Sequence, residues 1–226
     1  MRITYYGHSC FMVEIKGKKL LFDPFITPNE LAKDINIAEI EPDYILLSHG
    51  HSDHVADTEA IAKATGATII ANYEVAMWFA GKGIKNYHPM NHGGKWDFDF
   101  GTVKCVNAVH SSSMPDGSYG GNPLGFVIIN EEKNFYYSGD TALTLDMQLI
   151  PMFAEIDFSV LPVGDNFTMG LEDAASAAKM VQSDTVIGVH YDTFGYIRID
   201  HEKATDIFKS KGLKLLLPKI GETIEV

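Results

Sequence analysis

The six-residue run His49-Gly50-His51-Ser52-Asp53-His54 constrains this chain more than any other part of its sequence. It places three imidazoles and a carboxylate directly after the apolar stretch 44–47. Imidazole nitrogens and carboxylate oxygens are the ligands that hold zinc and neighbouring divalent metals. Four such side chains on one turn cannot all bind one ion comfortably, so the run predicts parts of two adjacent metal sites. Two adjacent metals in turn favour hydrolysis.

The length and composition of the chain are those of one folded domain. It has 226 residues, of which 46% are hydrophobic, so enough apolar surface is present for a substantial core. No charge block, low-complexity segment or Pro/Ser-rich linker interrupts the sequence. We therefore expect a single domain that spans residues 1–226.

The excess of acidic over basic residues disfavours some classes of binding partner. Lysine and arginine total 18 against 30 aspartates and glutamates, which gives a formal net charge of -12. Such a charge repels polyanions, so nucleic acid is a disfavoured partner and a small molecule is the expected substrate. Association of identical copies into a homo-oligomer is left open.

The lack of a recognisable secretion signal and the small number of cysteines favour a cytoplasmic location. Residues 1–7 lack the basic start and apolar run of a secretion signal, and no stretch approaches the roughly 18 consecutive apolar residues of a membrane span. The two cysteines, Cys10 and Cys105, lie outside any Cys-x-x-Cys pattern, which gives little support to disulfides or a thiolate metal site. We expect a cytoplasmic protein with no membrane segment.

Short apolar runs and helical stretches alternate with turn residues along the chain. The first runs are closely spaced, which predicts an antiparallel meander. Predicted strands cover residues 2–6, 10–15, 19–22, 68–71, 103–109, 124–129, 134–137, 158–163 and 186–189. Predicted helices cover residues 57–65, 74–82 and 171–182. These elements indicate an α/β protein in which helices cover two sheets.

Three later residues of ligand type follow predicted strands. The run 103–109 stops at His110, the run 134–137 stops shortly before Asp140, and the run 186–189 stops at His190. Rigid strand ends can aim such side chains into one groove and so fix the coordination geometry. Each residue alone would more often be structural, as Asp140 would be in a Gly-Asp turn. Together with the histidine run they predict one metal-binding groove.

The order and spacing of these residues extend over nearly the whole chain. They comprise His-x-His-x-Asp-His at positions 49–54, then His110, Ser138-Gly139-Asp140-Thr141 and His190. In this order the chain resembles the metallo-β-lactamase superfamily. Three further segments are similar to the small bacterial and archaeal metal-dependent hydrolases related to ascorbate-6-phosphate lactonase: Gly7-His8-Ser9-Cys10-Phe11, Phe22-Asp23-Pro24-Phe25 and Tyr119-Gly120-Gly121-Asn122-Pro123.

The resemblance implies a fold and a ligand set. The fold would be a four-layer αββα sandwich that binds two divalent metal ions. One metal would be held by His49, His51 and His110, the other by Asp53, His54 and His190, and Asp140 would bridge the pair. Zinc is the first expectation, and manganese, nickel and iron suit the same ligands.

The expected chemistry follows from the metal pair. Zinc can lower the pKa of a bound water to about 7, which makes a hydroxide nucleophile available at neutral pH. That hydroxide would attack a carbonyl or phosphoryl centre of a small ester, lactone or phosphoester, and Asp53 could orient it as well as bind metal. No nucleophilic side chain is required.

Two alternatives belong to other functional classes. One is a redox enzyme that uses iron in the same ligands, but position 51 is histidine, whereas the diiron flavoprotein oxidoreductases of the superfamily have glutamate there. The other is a metal-binding module without turnover. Aspartate at position 140, where many antibiotic-degrading members have cysteine, argues against a lactamase, and the chain is too short for the added domain of the RNA-processing members.

Four other residues are candidates for supporting roles. His8 is expected at the cleft rim, for substrate contact or proton transfer, or else within the fold as a structural residue. Asp23 is expected to accept a hydrogen bond from a metal-binding histidine, the alternative being a strand-ending turn. Asn166 could donate to a developing oxyanion, or simply form a turn. Tyr119 is a substrate-contact candidate because it lies in the segment 111–123, which could be a mobile lid or an ordinary connection.

Overall fold

Two seven-stranded β-sheets lie face to face, and the computed structural model describes them within residues 1–226. The first sheet contains, in spatial order, β14 (Thr223–Glu225), β1 (Arg2–Gly7), β2 (Cys10–Ile15), β3 (Lys18–Phe22), β4 (Tyr44–Leu46), β5 (Thr68–Asn72) and β6 (Tyr87–Met90). The second contains β13 (Lys214–Leu216), β12 (Thr185–Val189), β11 (Phe158–Pro162), β10 (Phe135–Tyr137), β9 (Leu124–Ile129), β8 (Gly101–Asn107) and β7 (Lys95–Phe98).

Helices cover the outer faces of both sheets. The first sheet is covered by α2 (Thr58–Thr65) and α3 (Tyr73–Gly81), and the second by α4 (Leu171–Met180) and α5 (His201–Ser210). A one-turn helix, α1 (Ser52–Val55), lies within the histidine run. The layers are therefore α, β, β, α, as the resemblance implied. None of the helices is long and apolar enough to cross a membrane.

Side chains along each strand of the first sheet point alternately to its two faces, and both faces are buried. In β2, Phe11 and Val13 face the core between the sheets, whereas Cys10 and Met12 face the helical layer. The same switch separates Phe22 from Leu21 in the next strand. Successive strand side chains point to opposite faces, so strands buried on both sides are apolar throughout. That is why the sequence shows short unbroken apolar runs.

Aromatic rings fill the centre of the space between the sheets. Phe22 of the first sheet lies 5.9 Å from Phe135 and 6.4 Å from Phe126 of the second, measured between ring centroids. Phe11 meets Tyr137 edge to face at 5.1 Å. Edge-to-face pairs at these distances add to the free energy gained by burying the rings. These contacts hold the two sheets against each other.

Strand direction places the carboxyl ends of most strands of both sheets at one edge of the sandwich. β1 and β3 are both antiparallel to β2, and β3 is parallel to β4. In the second sheet β8 and β10 are both antiparallel to β9, and β10, β11 and β12 are parallel. The segments that follow β1, β3, β4, β8, β10 and β12 therefore meet at this edge.

Most predicted elements are confirmed with small shifts at their ends. The antiparallel meander at the start of the chain is β1 to β3. The helix predicted at 74–82 is Tyr73–Gly81, and the one predicted at 171–182 ends at Met180. The strand predicted at 103–109 was misplaced, because it runs from Gly101 to Asn107 and His110 lies on the loop after it.

We expect Phe135→Ala to lower the free energy of unfolding by about 3–5 kcal/mol, because it empties a fully buried ring site between the sheets. Leu145→Ala is the control, since Leu145 is 72% exposed and its truncation should cost less than about 0.5 kcal/mol. Urea unfolding of the metal-free protein measures both values. Equal losses in the two variants would contradict the assignment of Phe135 to the core.

Candidate metal centre

The seven residues expected to bind metal all lie at the shared strand edge. His49, His51, Asp53 and His54 follow β4, His110 follows β8, Asp140 follows β10, and His190 follows β12. Six of them, all but Asp140, belong to close groups in which every ligand-type atom lies within 4.8 Å of the others. The edge thus brings together residues that are up to 141 positions apart, from 49 to 190.

The first group consists of His49, His51 and His110. The Nε2 atom of His49 lies 2.9 Å from Nδ1 of His51, and both rings lie 5.1 Å from the ring of His110. Burial lowers the pKa of all three, most strongly for His49. Neutral imidazole is the form that binds metal, so the group is ready to act as a ligand set.

The second group contains Asp53, His54 and His190, joined by His8. The Oδ2 atom of Asp53 lies 3.9 Å from Nε2 of His54 and 3.8 Å from Nε2 of His190. The ring of His8 is closer, because its Nε2 lies 3.1 Å from the same oxygen. The sequence did not place His8 in this group.

Asp140 lies between the two groups. Its Oδ2 atom is 3.0 Å from Nε2 of His190 and 3.2 Å from Nε2 of His54, and it is 3.6 Å from Nε2 of His110. Gly139 makes this position accessible: its φ is +60°, and a Cβ there would lie 2.7 Å from the Leu124 carbonyl oxygen. A side chain at position 139 would thus push the loop away from β9.

Asp23 supports the cluster from behind. It is fully buried and accepts hydrogen bonds from His54 Nδ1 at 2.8 Å, from Tyr137 Oη at 2.6 Å, and from both the backbone N–H and the hydroxyl of Ser48. Ser48 Oγ also lies 2.9 Å from Nδ1 of His49. These contacts engage the Nδ1 atoms of His54 and His49, so that their Nε2 atoms point towards Asp140 and His51 of the cluster. Although Asp23, His49 and His54 form a third close group, the oxygens of Asp23 already have protein partners.

The charges of the cluster fit bound cations. Asp23, Asp53 and Asp140 have histidines as their only ion-pair partners. Burial would lower the pKa of His54, but Asp140, Asp53 and Asp23 raise it well above its usual value. Burial would likewise raise the pKa of Asp140, but His190 and His54 hold it well below its usual range. No lysine or arginine pairs with these three carboxylates, and divalent metals would supply the positive charge that they require.

Unpartnered polar atoms point to the same conclusion. His54 Nε2 and Asp140 Oδ1 are buried without a hydrogen-bond partner, and the 3.2 Å approach of His54 Nε2 to the other Asp140 oxygen lacks hydrogen-bond geometry. Buried polar atoms are nearly always satisfied in native proteins. Because both residues belong to the cluster, a metal ion is the partner that the donor set fits.

Backbone strain is concentrated in the same place. His8, Asp23 and His190 all have positive φ, at 55°, 42° and 57°. Residues with a Cβ rarely adopt this conformation, which costs about 1–3 kcal/mol each and clusters at functional sites. The backbone N–H of His190 donates to the carbonyl of His8 at 2.8 Å, which ties the two strained turns together across the sheets.

Of the two alternatives for His8, the structure favours the position within the fold over the cleft rim. Its side chain is buried and hydrogen-bonds on both sides, to Asp53 through Nε2 and to the Thr193 hydroxyl through Nδ1 at 3.0 Å. Burial, with the nearby His190, lowers the pKa of His8 to about 4. The ring therefore contacts Asp53 from inside the fold and is not among the residues that line the cleft above the cluster.

Asn166 and Tyr119 are not brought into the cluster. Asn166 is exposed on a turn, has a φ of 57°, and is not among the residues that line the cleft above the cluster. Tyr119 is 66% exposed, its hydroxyl donates to Asn122 at 3.3 Å, and it too lies outside the cleft lining. Their placement favours the structural alternative for both residues.

The segment 111–123 is held against the first sheet's helical layer by hydrogen bonds and by a buried side chain. Asn72 at the start of α3 donates to the carbonyls of Gly120 and Asn122, and Met114 is buried against the first sheet's helical layer. Gly50 permits the close approach, because a Cβ there would lie 2.5 Å from the Met114 sulfur. These contacts favour the ordinary connection over a mobile lid.

An open cleft of about 900 Å³ lies above the cluster. Its lining includes His51, Asp53, His110, Asp140 and His190, and the remaining lining residues are Phe25, Ser52, Ser111, Phe167, Thr193, Phe194, Gly195 and Tyr196. Sequence reasoning missed Thr193 and the aromatic residues, because nothing in their local pattern distinguishes them from other loop residues. Only the tertiary structure brings them to the cluster.

The family comparison covers the same residues. A family model described as a beta-lactamase superfamily domain matches residues 2–190, which includes every residue of the two groups and Asp140. The chain belongs to the metallo-β-lactamase superfamily. The expectation drawn from the His-x-His-x-Asp-His pattern is thereby confirmed at the level of the family.

Relatives within the metallo-β-lactamase superfamily are similar over their full length. A UPF0173 metal-dependent hydrolase from Christiangramia forsetii is 57% identical over 227 residues and covers 100% of both chains. The relative YtkL of Bacillus subtilis, with the same description, is 45% identical over 231 residues, again with 100% of both chains covered. The solved structure of Igni18, a metallo hydrolase from Ignicoccus hospitalis, has a TM-score of 0.88 and 31% identity, covering 99% of this chain and 97% of that one. The protein is a metal-dependent hydrolase.

Asp23→Asn should weaken metal binding about 10–100-fold, because it removes the charge that orients His54 while keeping the side-chain shape. Asparagine also tolerates the positive φ at this position. Metal affinity is measured by competition with a chromophoric chelator.

Asp57→Asn is the matched control for this test. Asp57 is a buried carboxylate that accepts from the backbone N–H groups of Ile26 and Thr27 and belongs to none of the close groups. Its variant should lose stability with unchanged metal affinity. Equal metal affinity in wild type and Asp23→Asn would contradict the role given to Asp23.

Proposed function

We propose that this single-domain protein, residues 1–226, is a binuclear metallohydrolase that cleaves a small ester, lactone or phosphoester. The observation that carries the proposal is the placement of buried Asp140 between two separate groups of ligand-type side chains at the floor of an open cleft. One carboxylate in that position offers two oxygens to two ions about 3.5–4 Å apart.

Each group would hold one metal. His49, His51 and His110 would bind the first, Asp53, His54 and His190 would bind the second, and Asp140 would bridge them. Zinc is the first choice, and manganese, nickel or iron fit the same donors. The metal pair would supply a hydroxide nucleophile at neutral pH and would polarise the oxygen of the scissile group.

The protein's own side chains would orient the attacking water, and none of them would serve as the nucleophile. Cys10 and Cys105 are fully buried away from the cleft, and burial raises the pKa of both thiols, so neither serves as a nucleophile. Asp53 is partly exposed to the cleft, and its carboxylate could orient the attacking water while it binds metal. His8 and Thr193 form a hydrogen-bonded chain behind Asp53 that fixes its direction.

We expect chelator-free protein to contain about two equivalents of divalent metal per chain, and Asp140→Ala to contain one or fewer. Elemental analysis of both proteins measures this. Asp184→Ala is the control, because the Asp184 side chain is 87% exposed and pairs only with Lys179 on the surface. Trace metal in the native protein, or full occupancy in Asp140→Ala, would overturn the binuclear site. Two equivalents of iron together with oxygen or thiol consumption would identify the redox alternative.

We expect His8→Asn to keep both metal equivalents and to lower kcat about 10–100-fold, because Asp53 loses the donor that orients it. Asparagine accommodates the φ of 55° at this position, so the variant should fold. Ester turnover and metal content are measured on the same preparation. Loss of one metal equivalent would instead make His8 a ligand of the second metal.

A further inference from the structure

Aromatic side chains form much of the cleft wall beyond the metal cluster. Phe167 is 51% exposed, Phe194 is 37% exposed and Tyr196 is 78% exposed, and all three line the cleft. Phe25 lies beneath them, 6.2 Å from Phe194 between ring centroids. Large apolar side chains that remain exposed around a concave site mark a surface that binds an apolar ligand.

Phe167 is presented by a rigid and strained turn. Asp165 and Asn166 both have positive φ, at 63° and 57°, and the turn is closed by the Asp165 N–H to the Met169 carbonyl at 3.1 Å. The Met169 N–H in turn donates to the carbonyl of Thr141, which is next to Asp140. Two successive residues with positive φ cost conformational free energy. The hydrogen bonds that close the turn stabilise this conformation, and with it the position of the Phe167 ring at the cleft.

Phe194 and Tyr196 lie on a second closed turn. The Asp192 N–H donates to the Ile197 carbonyl at 2.8 Å, and the Asp192 carboxylate accepts from the N–H of Ile199 at 3.0 Å. Ile197 is fully buried and anchors the turn. The rings of Phe167 and Tyr196 meet edge to face, with their centroids 6.1 Å apart. The two turns thus form one aromatic wall.

The cleft lining supplies no lysine or arginine. Outside the proposed ligands its polar side chains are the neutral hydroxyls of Ser52, Ser111, Thr193 and Tyr196. The whole chain carries a formal net charge of -12. A phosphate or carboxylate on the part of a substrate distant from the metals would therefore lose water without gaining a counter-charge.

We propose that the physiological substrate is a small ester, lactone or phosphoester whose part distant from the scissile bond is uncharged and apolar or aromatic, selected by the wall of Phe167, Phe194 and Tyr196. The same wall disfavours substrates that carry a phosphate or carboxylate on that distant part. This inference rests on the proposed function, because it takes the metal cluster as the place where the bond is cleaved. It goes further by assigning specificity to residues that do not bind metal.

A binding experiment tests the inference without turnover. Benzohydroxamate and 4-carboxybenzohydroxamate share a metal-binding head and differ only in the charge of the distal ring. Calorimetric titration of the metal-loaded protein should give a Kd at least about tenfold lower for the uncharged compound. Equal or tighter binding of the carboxylated compound, or no binding of either one, would overturn the inference.

A charge introduced into the wall should reverse the preference. Phe167→Lys places a cation in the cleft, so it should tighten 4-carboxybenzohydroxamate and weaken benzohydroxamate, each by about fivefold or more. Leu145→Lys is the matched control, because Leu145 is 72% exposed and lies outside the cleft. If both variants shift the ratio equally, the wall does not determine specificity and the inference fails.

Turnover separates this inference from the proposed function. Native protein should cleave 4-nitrophenyl butyrate with a higher kcat/KM than 4-nitrophenyl hemisuccinate, which carries a distal carboxylate on the same ester. Selective hydroxamate binding by a protein that cleaves neither ester would support the aromatic selection and overturn the proposed cleavage of carboxylic esters. Cleavage of both esters at equal kcat/KM would support hydrolysis and overturn the selection.

Discussion

One buried carboxylate joins the main parts of this molecule. Asp23 directly follows β3 in the first sheet, and it accepts a hydrogen bond from Tyr137 at the end of β10 in the second. It also accepts from Ser48 on the loop after β4 and from His54 within α1. A carboxylate with no solvent contact is stable only when its lone pairs are satisfied in this way. The relative position of the sheets and the orientation of the metal-facing histidines therefore depend on the same residue.

The cluster combines a rigid scaffold with local strain. Apolar strands packed on both faces fix where each chain segment leaves the sheet, and the turns that follow take unfavourable backbone conformations at His8, Asp23 and His190. The hydrogen bond between the His190 N–H and the His8 carbonyl shows that the strained turns stabilise each other. Aromatic packing between the sheets supplies the free energy that such strain consumes.

The sequence predicts the cluster better than it predicts its surroundings. His49 to His54, His110, Asp140 and His190 could be identified because few residue types bind metal and their order is characteristic. For His8 the sequence left a rim position and a position within the fold as alternatives, since sequence spacing does not tell whether a turn with positive φ points its side chain inward. The aromatic wall was missed for a related reason: Phe167 and Tyr196 meet only because two turns, separated by α4 and β12, close at the same edge.

The turn that carries Phe167 has an evolutionary consequence. Its backbone is closed between Asp165 and Met169 and is joined to the metal edge by one hydrogen bond to the Thr141 carbonyl. None of the proposed ligands lies within it. Mutations there could change which molecules enter the cleft while the metal ligands and their supporting carboxylate stay the same. The architecture thus lets proteins that descend from one gene acquire different substrate ranges while they keep the same metal centre.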